Sequence, residues 1–388
     1  MTDFFNMTIV FIGHFSPLSK ILDTASSSAG NQVQRQIINE LASKYGTDKV
    51  LSYSMTPLSA WPHDTAIYKK HQEDSILFLG YLNVPILKHV VFSLRLFVKL
   101  IMVRPQICLQ YNSYFFENLV LLLYRFCNSD CSLAIVIQDV LVTPETSLLR
   151  KSGIRSLSER ASLLLAQYFD LIVPISNAII NDFHLNPDKC FIFQGGITYF
   201  SENIMNNSEL HSLLDLGVFA GALEPYNGID KLVDQWIAFG IQWPLHIFGK
   251  GSLENHIKQA AESTEKIIFH GFQPEHVILE WQSKARWNFC LRYSLGLNQK
   301  YFFPSKFFNI VCASGAILVN DFYGLPDPLR KYLNIVSDNL SDLQEQLVLI
   351  DHLPHQENVR ARREAVKKEY NWKVCIEKII NILTNIKS

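Results

Sequence analysis

The chain has 388 residues, of which 48% are hydrophobic, and its 35 lysines and arginines nearly balance 36 aspartates and glutamates, giving a net charge of −1. This hydrophobic content excludes a chain that is disordered throughout, and the length favours two domains, because single cores stop growing near about 250–300 residues. The balanced charge removes any global electrostatic case for nucleic-acid binding, so no nucleic-acid partner is expected.

The seven cysteines are odd in number and mostly lie in apolar stretches, with Cys127 and Cys131 as the only close pair. No His-Cys cluster accompanies that pair, so buried reduced thiols are expected rather than disulfides or zinc. The first residues lack the basic start and the small-residue cleavage site of a signal peptide. We therefore predict a cytoplasmic protein.

The first half of the chain alternates short apolar runs with helical segments. Thr8–Ile12 is predicted as a buried strand that ends near His14, a polar loop leads to Gly30 and Asn31, and a helix with an apolar face covers about Gln32–Tyr45. Further strands are predicted at Val50–Ser54, Ile76–Gly80, Ile107–Tyr111, Leu133–Gln138, Leu171–Pro174 and Cys190–Phe193, with a helix over Ser156–Tyr168. This alternation predicts a parallel sheet with helices on both faces, whose ligands bind at the carboxyl ends of the strands. The G-x-G-x-x-G fingerprint of dinucleotide sites is absent.

The longest apolar stretch, Val84–Val103, is interrupted by Lys88, Arg95 and Lys99 and is therefore a poor transmembrane span. The spacing of these three cations places them on one stripe of a helix. Such a stripe favours either contact with an anionic lipid surface or a buried helix with one wet edge.

The chain becomes polar between Tyr199 and Leu214, and we place the boundary between two domains there. The pattern of strand, loop and helix then restarts. Strands are predicted at Leu216–Ala220, Leu245–Phe248, Ile267–Phe269, Trp287–Leu291, Ala316–Asn320 and Asn334–Ser337, and helices at Gly228–Phe239, Ser341–Ile350 and Gln356–Ile386, the last broken near Asn371-Trp372. Glycines follow several of these strands, where backbone has to approach a ligand closely.

The most specific pattern lies near residue 300. A polar loop with Arg292 and Asn298 is followed by a helix that opens with Pro304, Ser305 and Lys306 and stops at a glycine before an apolar strand. The helix dipole disfavours a cation in the first turn by roughly 0.3–1 kcal/mol, whereas a phosphate at the helix N-terminus would pair with it. Lys306 is therefore predicted either to share a phosphate with the helix end or to be solvated.

This loop and its Pro-Ser-Lys helix resemble the donor site of GT-B glycosyltransferases, most closely the family-4-like bacterial enzymes that build surface polysaccharides. The resemblance implies two doubly wound, Rossmann-like α/β domains that face a cleft, with a C-terminal helix crossing back. The implied domains are residues 1–200 on the acceptor side, residues 215–365 for the nucleotide-sugar, and a helix over residues 366–388 that packs on the first domain.

The resemblance also implies a reaction. A sugar would pass from a nucleotide-sugar to a glycan or a lipid-linked saccharide in surface polysaccharide synthesis, with retention at the anomeric carbon. The nucleotide-sugar is a co-substrate, so no cofactor is expected. Neither an Asp-x-Asp motif nor a His-Asp cluster with hard-cation spacing occurs in the sequence, so no metal site is expected. A lipid-linked acceptor would place the protein peripherally on the inner face of the membrane.

Individual residues carry over from the resemblance. On the acceptor side these are Gly30, Asn31 and Asn112. The catalytic candidates are His14 and Asp139, whose alternative roles are a structural histidine and a loop cap. The donor-binding candidates are Gly221, Gly249, Lys250, Gly271, Phe272, Arg292, Asn298, Pro304, Ser305, Lys306, Phe307 and Asn309.

Two departures from the family pattern concern charge. Ala222 and Asn227 stand where related enzymes commonly have Arg and Lys, and Tyr301 and Asn309 stand where they have two glutamates. A diphosphate cannot be desolvated without cations or dense N–H donors. It would then rely on Lys250, Arg292 and Lys306. Two other readings stay open: a catalytically inactive GT-B subunit that binds a partner enzyme, and a sugar-nucleotide epimerase with the same layout.

Overall fold

The structure, a computed structural model, describes residues 7–20, 28–141, 153–198, 201–203, 213–293, 299–304, 306–350 and 356–386. The chain folds as two compact units, residues 1–194 with 372–388, and residues 195–371. Each unit is built on one sheet of mainly parallel strands. The predicted linker, residues 199–214, lies mostly outside the described residues.

The sheet of the first unit has seven strands, and its central strands are mostly apolar and buried, as expected when helices cover both faces. The strands of this unit are β1 (Ile9–His14), β2 (Val50–Met55), β3 (Ile67–Tyr68), β4 (His71–Glu73), β5 (Ile76–Phe78), β6 (Tyr81–Leu82), β7 (Ile107–Tyr111), β8 (Ser132–Ile137) and β9 (Leu171–Pro174). Their order is β4-β5-β2-β1-β7-β8-β9, and β4 pairs antiparallel to β5 at the edge. Strands β3 and β6 form a separate ribbon. The helices of the first unit are α1 (Ser28–Tyr45), α2 (Leu87–Val103), α3 (Phe115–Cys127), α4 (Gly153–Ala166) and α5 (Asn177–Asp182).

The second unit repeats this design with six parallel strands. They are β10 (Leu214–Ala220), β11 (Leu245–Phe248), β12 (Ile267–Gly271), β13 (Ala285–Cys290), β14 (Ala316–Asn320) and β15 (Asn334–Val336), in the order β12-β11-β10-β13-β14-β15. Its helices are α6 (Ile229–Ala238), α7 (Glu254–Ser263), α8 (Glu275–Lys284), α9 (Phe307–Val311), α10 (Asp327–Arg330), α11 (Leu343–Leu349) and α12 (Gln356–Glu369). One core of this unit consists of buried aliphatic and aromatic side chains, including Trp236 edge-on to Phe289 at 5.9 Å.

The last helix, α13 (Trp372–Asn385), belongs to the first unit and packs on α1, β8 and β9. Its buried face includes Trp372, Ile376 and Ile379, and the Trp372 ring lies 4.8 Å from that of Phe193. Two non-helical residues, Tyr370 and Asn371, separate α12 from α13, which confirms the predicted break. These two parallel α/β sheets with C-terminal helices confirm the predicted fold class.

Two predicted elements differ in the structure. The strand over Cys190–Phe193 is wrong, because that partly exposed segment forms only an isolated bridge from Cys190 to Ile172. The helix predicted from Pro304 begins at Phe307. Pro304 instead accepts a turn hydrogen bond from the Phe307 N–H at 2.9 Å, so the regular helix is only five residues long.

Candidate functional site

The second sheet defines where a ligand of that unit binds. Its strand order reverses between β10 and β13, and doubly wound sheets bind ligands beyond the carboxyl ends of the strands at such a switch point. Gly221 follows β10, Arg292 follows β13, and Asn320 ends β14 at the same edge. Two of the predicted donor residues, Gly221 and Arg292, therefore lie where the topology favours a site.

Glycines allow the backbone at the carboxyl ends of three neighbouring strands, β10, β11 and β12, to come into direct contact. The Gly221 N–H donates to Phe248 O at 3.0 Å, and the Gly249 N–H donates to Gly271 O at 2.8 Å. Gly249 has φ of +147°, and a Cβ there would overlap the Gly221 carbonyl. A side chain at Gly249 is thus excluded both by strain and by contact, which keeps this edge open.

Arg292 is held in place from several sides. Its backbone N–H donates to Asn320 Oδ1 at 2.7 Å, and Asn320 Nδ2 returns a bond to the Arg292 carbonyl at 2.8 Å. The guanidinium lies 4.7 Å from the Tyr226 ring and donates to Asn227 Oδ1 at 3.3 Å. Asn227 thus orients Arg292.

Lys306 projects into the same corner of the unit. Its Nζ donates to Ala220 O at 2.8 Å and lies 4.2 Å from the Phe219 ring. A Cβ on Gly221 would come within 2.6 Å of this Nζ, so Gly221 leaves the space that the ammonium uses. Lys306 is the N-cap residue of α9 and does not belong to its first turn, and α9 has only five residues. The helix-dipole argument made from the sequence therefore does not apply to Lys306.

The charge on Lys306 is poorly compensated. Burial lowers its pKa to about 8; the Cys290 thiol acts in the opposite direction, and Arg292 lowers the pKa further. Within the part of the chain that the structure describes, no carboxylate forms a salt bridge with its Nζ. Two cations, one of them enclosed, therefore lie at the switch point, an arrangement that suits the binding of an anion.

Lys250 and Phe272 form an exposed pair at the same sheet edge. The Lys250 Nζ lies 5.2 Å from the Phe272 ring, and Phe272 is 45% exposed. The structure therefore brings together two predicted donor residues that are 22 positions apart in the sequence. An exposed ring beside a cation suits a nucleobase more than it suits a phosphate alone.

Asn309 belongs to a hydrogen-bonded network. Its Oδ1 accepts from Ser201 Oγ at 2.7 Å and from the Thr198 N–H at 3.1 Å, and its Nδ2 donates to Glu275 Oε1 at 3.1 Å. Glu275 Oε1 also accepts from Thr198 Oγ1 at 3.0 Å, whereas its buried Oε2 has no partner among the described residues. Burial raises the pKa of Glu275, against the lowering effect of Thr198. A carboxylate thus stands beside Asn309, next to the place where the family pattern has one.

The remaining donor candidates lie elsewhere. Pro304 is buried, and the Phe307 side chain is fully buried among Phe303, Phe308 and Phe322. Their contribution is to pack the segment that carries Lys306. Asn298 and Ser305 lie outside the described residues.

In the first unit, His14 joins two residues that the sequence analysis did not select. His14 Nε2 lies 3.1 Å and His89 Nδ1 3.4 Å from the same oxygen, Oε1, of fully buried Glu117. Burial lowers the pKa of His14, against the raising effect of Glu117. Burial raises the pKa of Glu117, but the bonds from both histidines outweigh it and bring this pKa to about 2.

The other first-unit candidates shape the exits of the strands. Asn31 Oδ1 accepts from the Ser16 N–H at 3.1 Å, and Gly30 O accepts from Gln34 at 3.3 Å. Asn112, at φ +59°, accepts from the Gln138 N–H at 2.9 Å. Asp139 is exposed after β8, and its charge acts on the Tyr111 hydroxyl. Asp139 therefore remains the accessible acidic group among these candidates.

Sequence reasoning missed His89, Glu117, Glu275 and Asn320. No local spacing joins them, because topology alone brings them to their partners. One signal was available for Glu117, the single acid in the apolar segment Phe115–Cys127, since a charge on the inner face of such a helix requires a partner.

No protein-family model matches the sequence, and comparison with curated protein sequences finds no match. Solved structures do match along nearly the entire chain. HepE of Anabaena, in complex with UDP, gives a TM-score of 0.64 at 11% identity, covering 98% of this chain and 100% of that chain. The trehalose-6-phosphate protein of E. coli, bound with UDP-2-fluoro glucose, gives 0.65 at 10% identity, covering 97% and 99%. A glycosyltransferase from Rickettsia africae gives 0.65 at 10% identity, covering 99% of both chains. At these identities the likeness establishes the fold, and the chain has the GT-B fold.

Proposed function

We propose that the protein is a glycosyltransferase that moves a sugar from a nucleotide-sugar to a glycan or lipid-linked saccharide in surface polysaccharide synthesis. The observation that carries the proposal is the pairing of Lys306 with Arg292 at the switch point of the second sheet. Burying an ammonium beside another cation is unfavourable, and a diphosphate supplies the missing negative charge. UDP occupies Anabaena HepE, which has the same fold.

The chemistry requires charge stabilisation on the leaving group. As the bond from the sugar C1 to the diphosphate oxygen breaks, its electron pair leaves with the diphosphate. The acceptor oxygen bonds to C1, and its proton passes to a base. In this proposal Lys306 and Arg292 hold the departing charge where low polarity strengthens their effect. The resemblance to family-4-like enzymes supports retention at C1.

The neighbouring residues suit the nucleoside half of the donor. The exposed Phe272 ring offers a stacking surface for the base, with Lys250 at its face. Glu275 offers the ribose hydroxyls its Oε2, which has no partner among the described residues, while Asn309 bonds to its other oxygen. The charge-assisted hydrogen bonds from the ribose hydroxyls to Glu275 would take the place of those to a glutamate at position 309, where this sequence has Asn.

We place the binding site of the acceptor in the first unit. Gly30, Asn31 and Asn112 shape the strand exits there, and Asp139 is the exposed acid that would take the acceptor proton. A carboxylate within reach of a hydroxyl is a common general base.

A second candidate function is a catalytically inactive GT-B subunit that binds another transferase. The specific observation in its favour is the neutral pair Ala222 and Asn227, with Asn227 committed to Arg292 and to Ala222 O. An inactive subunit can retain nucleotide binding but not transfer.

A panel of nucleotide-sugars separates the candidates. A stabilising thermal shift with one or a few donors, followed by slow hydrolysis or transfer of that donor, is the expected result. Binding without any turnover across a range of acceptors would favour the inactive subunit. No shift with any nucleotide-sugar would contradict the transferase proposal.

Donor binding is expected to need no divalent metal, because Lys306 and Arg292 supply the positive charge. UDP affinity measured by calorimetry should be the same in EDTA and in excess magnesium or manganese. An affinity lost in EDTA and restored by manganese would contradict the proposed donor site.

The second half of α2 supports contact with an anionic lipid surface on the cytoplasmic side. Leu94, Val98 and Met102 are 60%, 56% and 70% exposed, and the cations Arg95 and Lys99 stand beside them in a helix without acidic residues. Exposed apolar side chains flanked by cations are typical of helices that lie in the lipid interface. In the described residues, no helix is long and apolar enough to cross a bilayer.

Lys88 departs from the predicted stripe. Its Nζ donates to Leu58 O at 3.0 Å, and burial lowers its pKa, so it points into the unit rather than to a membrane. The proposed lipid contact therefore relies on Arg95 and Lys99.

Flotation with liposomes tests this surface. Wild type should float with anionic but not with neutral vesicles, and Arg95→Glu with Lys99→Glu should abolish the difference. Lys258→Glu with Lys284→Glu, which changes the charge equally at two exposed lysines of the second unit, serves as the control. Equal recovery of all three proteins on both vesicles would remove the membrane proposal.

A further inference from the structure

The buried carboxylate of Glu117 is incompletely satisfied. Its Oε1 lies near both His14 and His89, whereas its Oε2, also buried, has no hydrogen-bond partner in the described part of the chain. Glu117 itself has no exposed surface. A buried carboxylate normally has a cation or a full set of donors, because its desolvation is otherwise costly.

The distances from the Glu117 oxygen to the two histidine nitrogens match those of a metal centre. Tetrahedral zinc with bonds of about 2.0–2.1 Å places neighbouring ligand atoms about 3.3–3.4 Å apart. The oxygen of Glu117 lies 3.1 Å from His14 Nε2 and 3.4 Å from His89 Nδ1, and all three atoms lie within 4.8 Å of one another. The His89 side chain is 28% exposed, so it has room to close the remaining distance.

The fold supplies these ligands from three separate elements. His14 ends β1, His89 lies in the first turn of α2, and Glu117 lies in the first turn of α3. The Tyr114 ring stacks on His14 at 3.7 Å between centroids, which fixes the imidazole plane. Both His14 and Glu117 therefore occupy defined positions at the carboxyl edge of the first sheet.

From this geometry we infer that His14, His89 and Glu117 bind one zinc ion. Two imidazoles and one carboxylate leave a fourth position open, an arrangement found in catalytic rather than structural zinc sites. That position suits a water or a hydroxyl of a saccharide. The inference departs from the metal-free expectation, which considered sequence spacing alone, and it is independent of the donor site because all three residues belong to the first unit.

Zinc titration of the full chain, after stripping with a chelator, tests the inference. Wild type should bind one equivalent. Glu117→Gln and His89→Asn should each weaken zinc binding by more than the 10–100-fold that loss of an outer-sphere partner costs. His71→Asn is the matched control and should leave zinc affinity unchanged, since His71 also lies near a carboxylate, Glu73 at 3.8 Å, but no second histidine joins them among the described residues.

Two further readouts keep the test decisive. Circular dichroism of the metal-free protein shows whether Glu117→Gln folds. If it does not, the His89→Asn variant provides the test, because the His89 side chain is partly exposed and its replacement disturbs the fold less. Cobalt substituted for zinc should give ligand-field absorption without the charge-transfer band of a thiolate. Absence of stoichiometric zinc in wild type, affinity unchanged in the folded variants, or a thiolate band from a cysteine site would each overturn the inference.

Discussion

Replacing Lys306 with methionine is expected to weaken UDP binding by about ten- to a hundredfold, the effect of losing one charge-assisted bond worth roughly 1.5–3 kcal/mol. Methionine keeps a flexible apolar stem beside the Phe219 ring and removes only the ammonium. Calorimetric titration with UDP, and with ADP to compare bases, measures the effect.

Lys231→Met is the matched control for this variant. Its ammonium also lies over an aromatic ring, Tyr293 at 3.7 Å, and donates to a backbone carbonyl, Asp338 O at 3.3 Å. It should leave UDP affinity unchanged. The unliganded Lys306→Met protein should melt no lower than wild type at pH 7, because relief of a buried charge offsets the lost bond to Ala220 O. Unchanged UDP affinity in Lys306→Met would move the diphosphate elsewhere.

UDP affinity is expected to fall about tenfold between pH 7 and pH 9. The pKa of Lys306 in the free protein is lowered to about 8, so the ammonium is charged below this pH and increasingly neutral above it. In the proposed donor site UDP binds the charged form of Lys306, and the UDP phosphates are largely ionised throughout this range. Each unit of pH well above 8 therefore costs up to a factor of about ten.

The stability of the unliganded protein should respond in the opposite direction. The folded pKa of Lys306 lies below the ordinary value of 10.5, so the unfolded chain holds more protons between pH 8 and 10.5. The contribution of Lys306 to stability therefore rises with pH across this window. In Lys306→Arg, whose guanidinium stays charged, UDP affinity should be partly restored and flat from pH 7 to 9. A slope equal to that of wild type would assign the titration to another group.

Much of the fold was predictable because apolar runs and turns are local signals. Ile107–Tyr111, Leu171–Pro174, Leu245–Phe248 and Ala316–Asn320 coincide with observed strands. The short strands β3, β4 and β6 were missed, because two or three residues carry little periodicity. The extent of α9 was overestimated, because the turn at Pro304 satisfies the backbone before the helix begins.

The candidate site was predictable only where chain-local features mark it. Glycines at strand exits and the Pro-Ser-Lys segment gave Gly221, Gly249 and Lys306. The groups that decide the electrostatics are set by tertiary contacts: Arg292 acts on Lys306, and Glu275 bonds to Asn309 across 34 positions of sequence. No periodicity encodes such contacts, so the supporting residues emerged only with the fold.

Proton uptake on UDP binding tests the central claim most directly. Because the pKa of Lys306 is about 8, about half of the Lys306 side chains are neutral amines at pH 8 in the free protein. In the proposed site, a bound diphosphate shifts them to the charged ammonium form and a proton is taken up. Binding enthalpies measured at pH 8 in two buffers of different ionisation enthalpy should give an uptake of about half a proton per UDP for wild type and none for Lys306→Arg. Equal uptake in both proteins, or none in wild type, would contradict the claim that Lys306 holds the diphosphate.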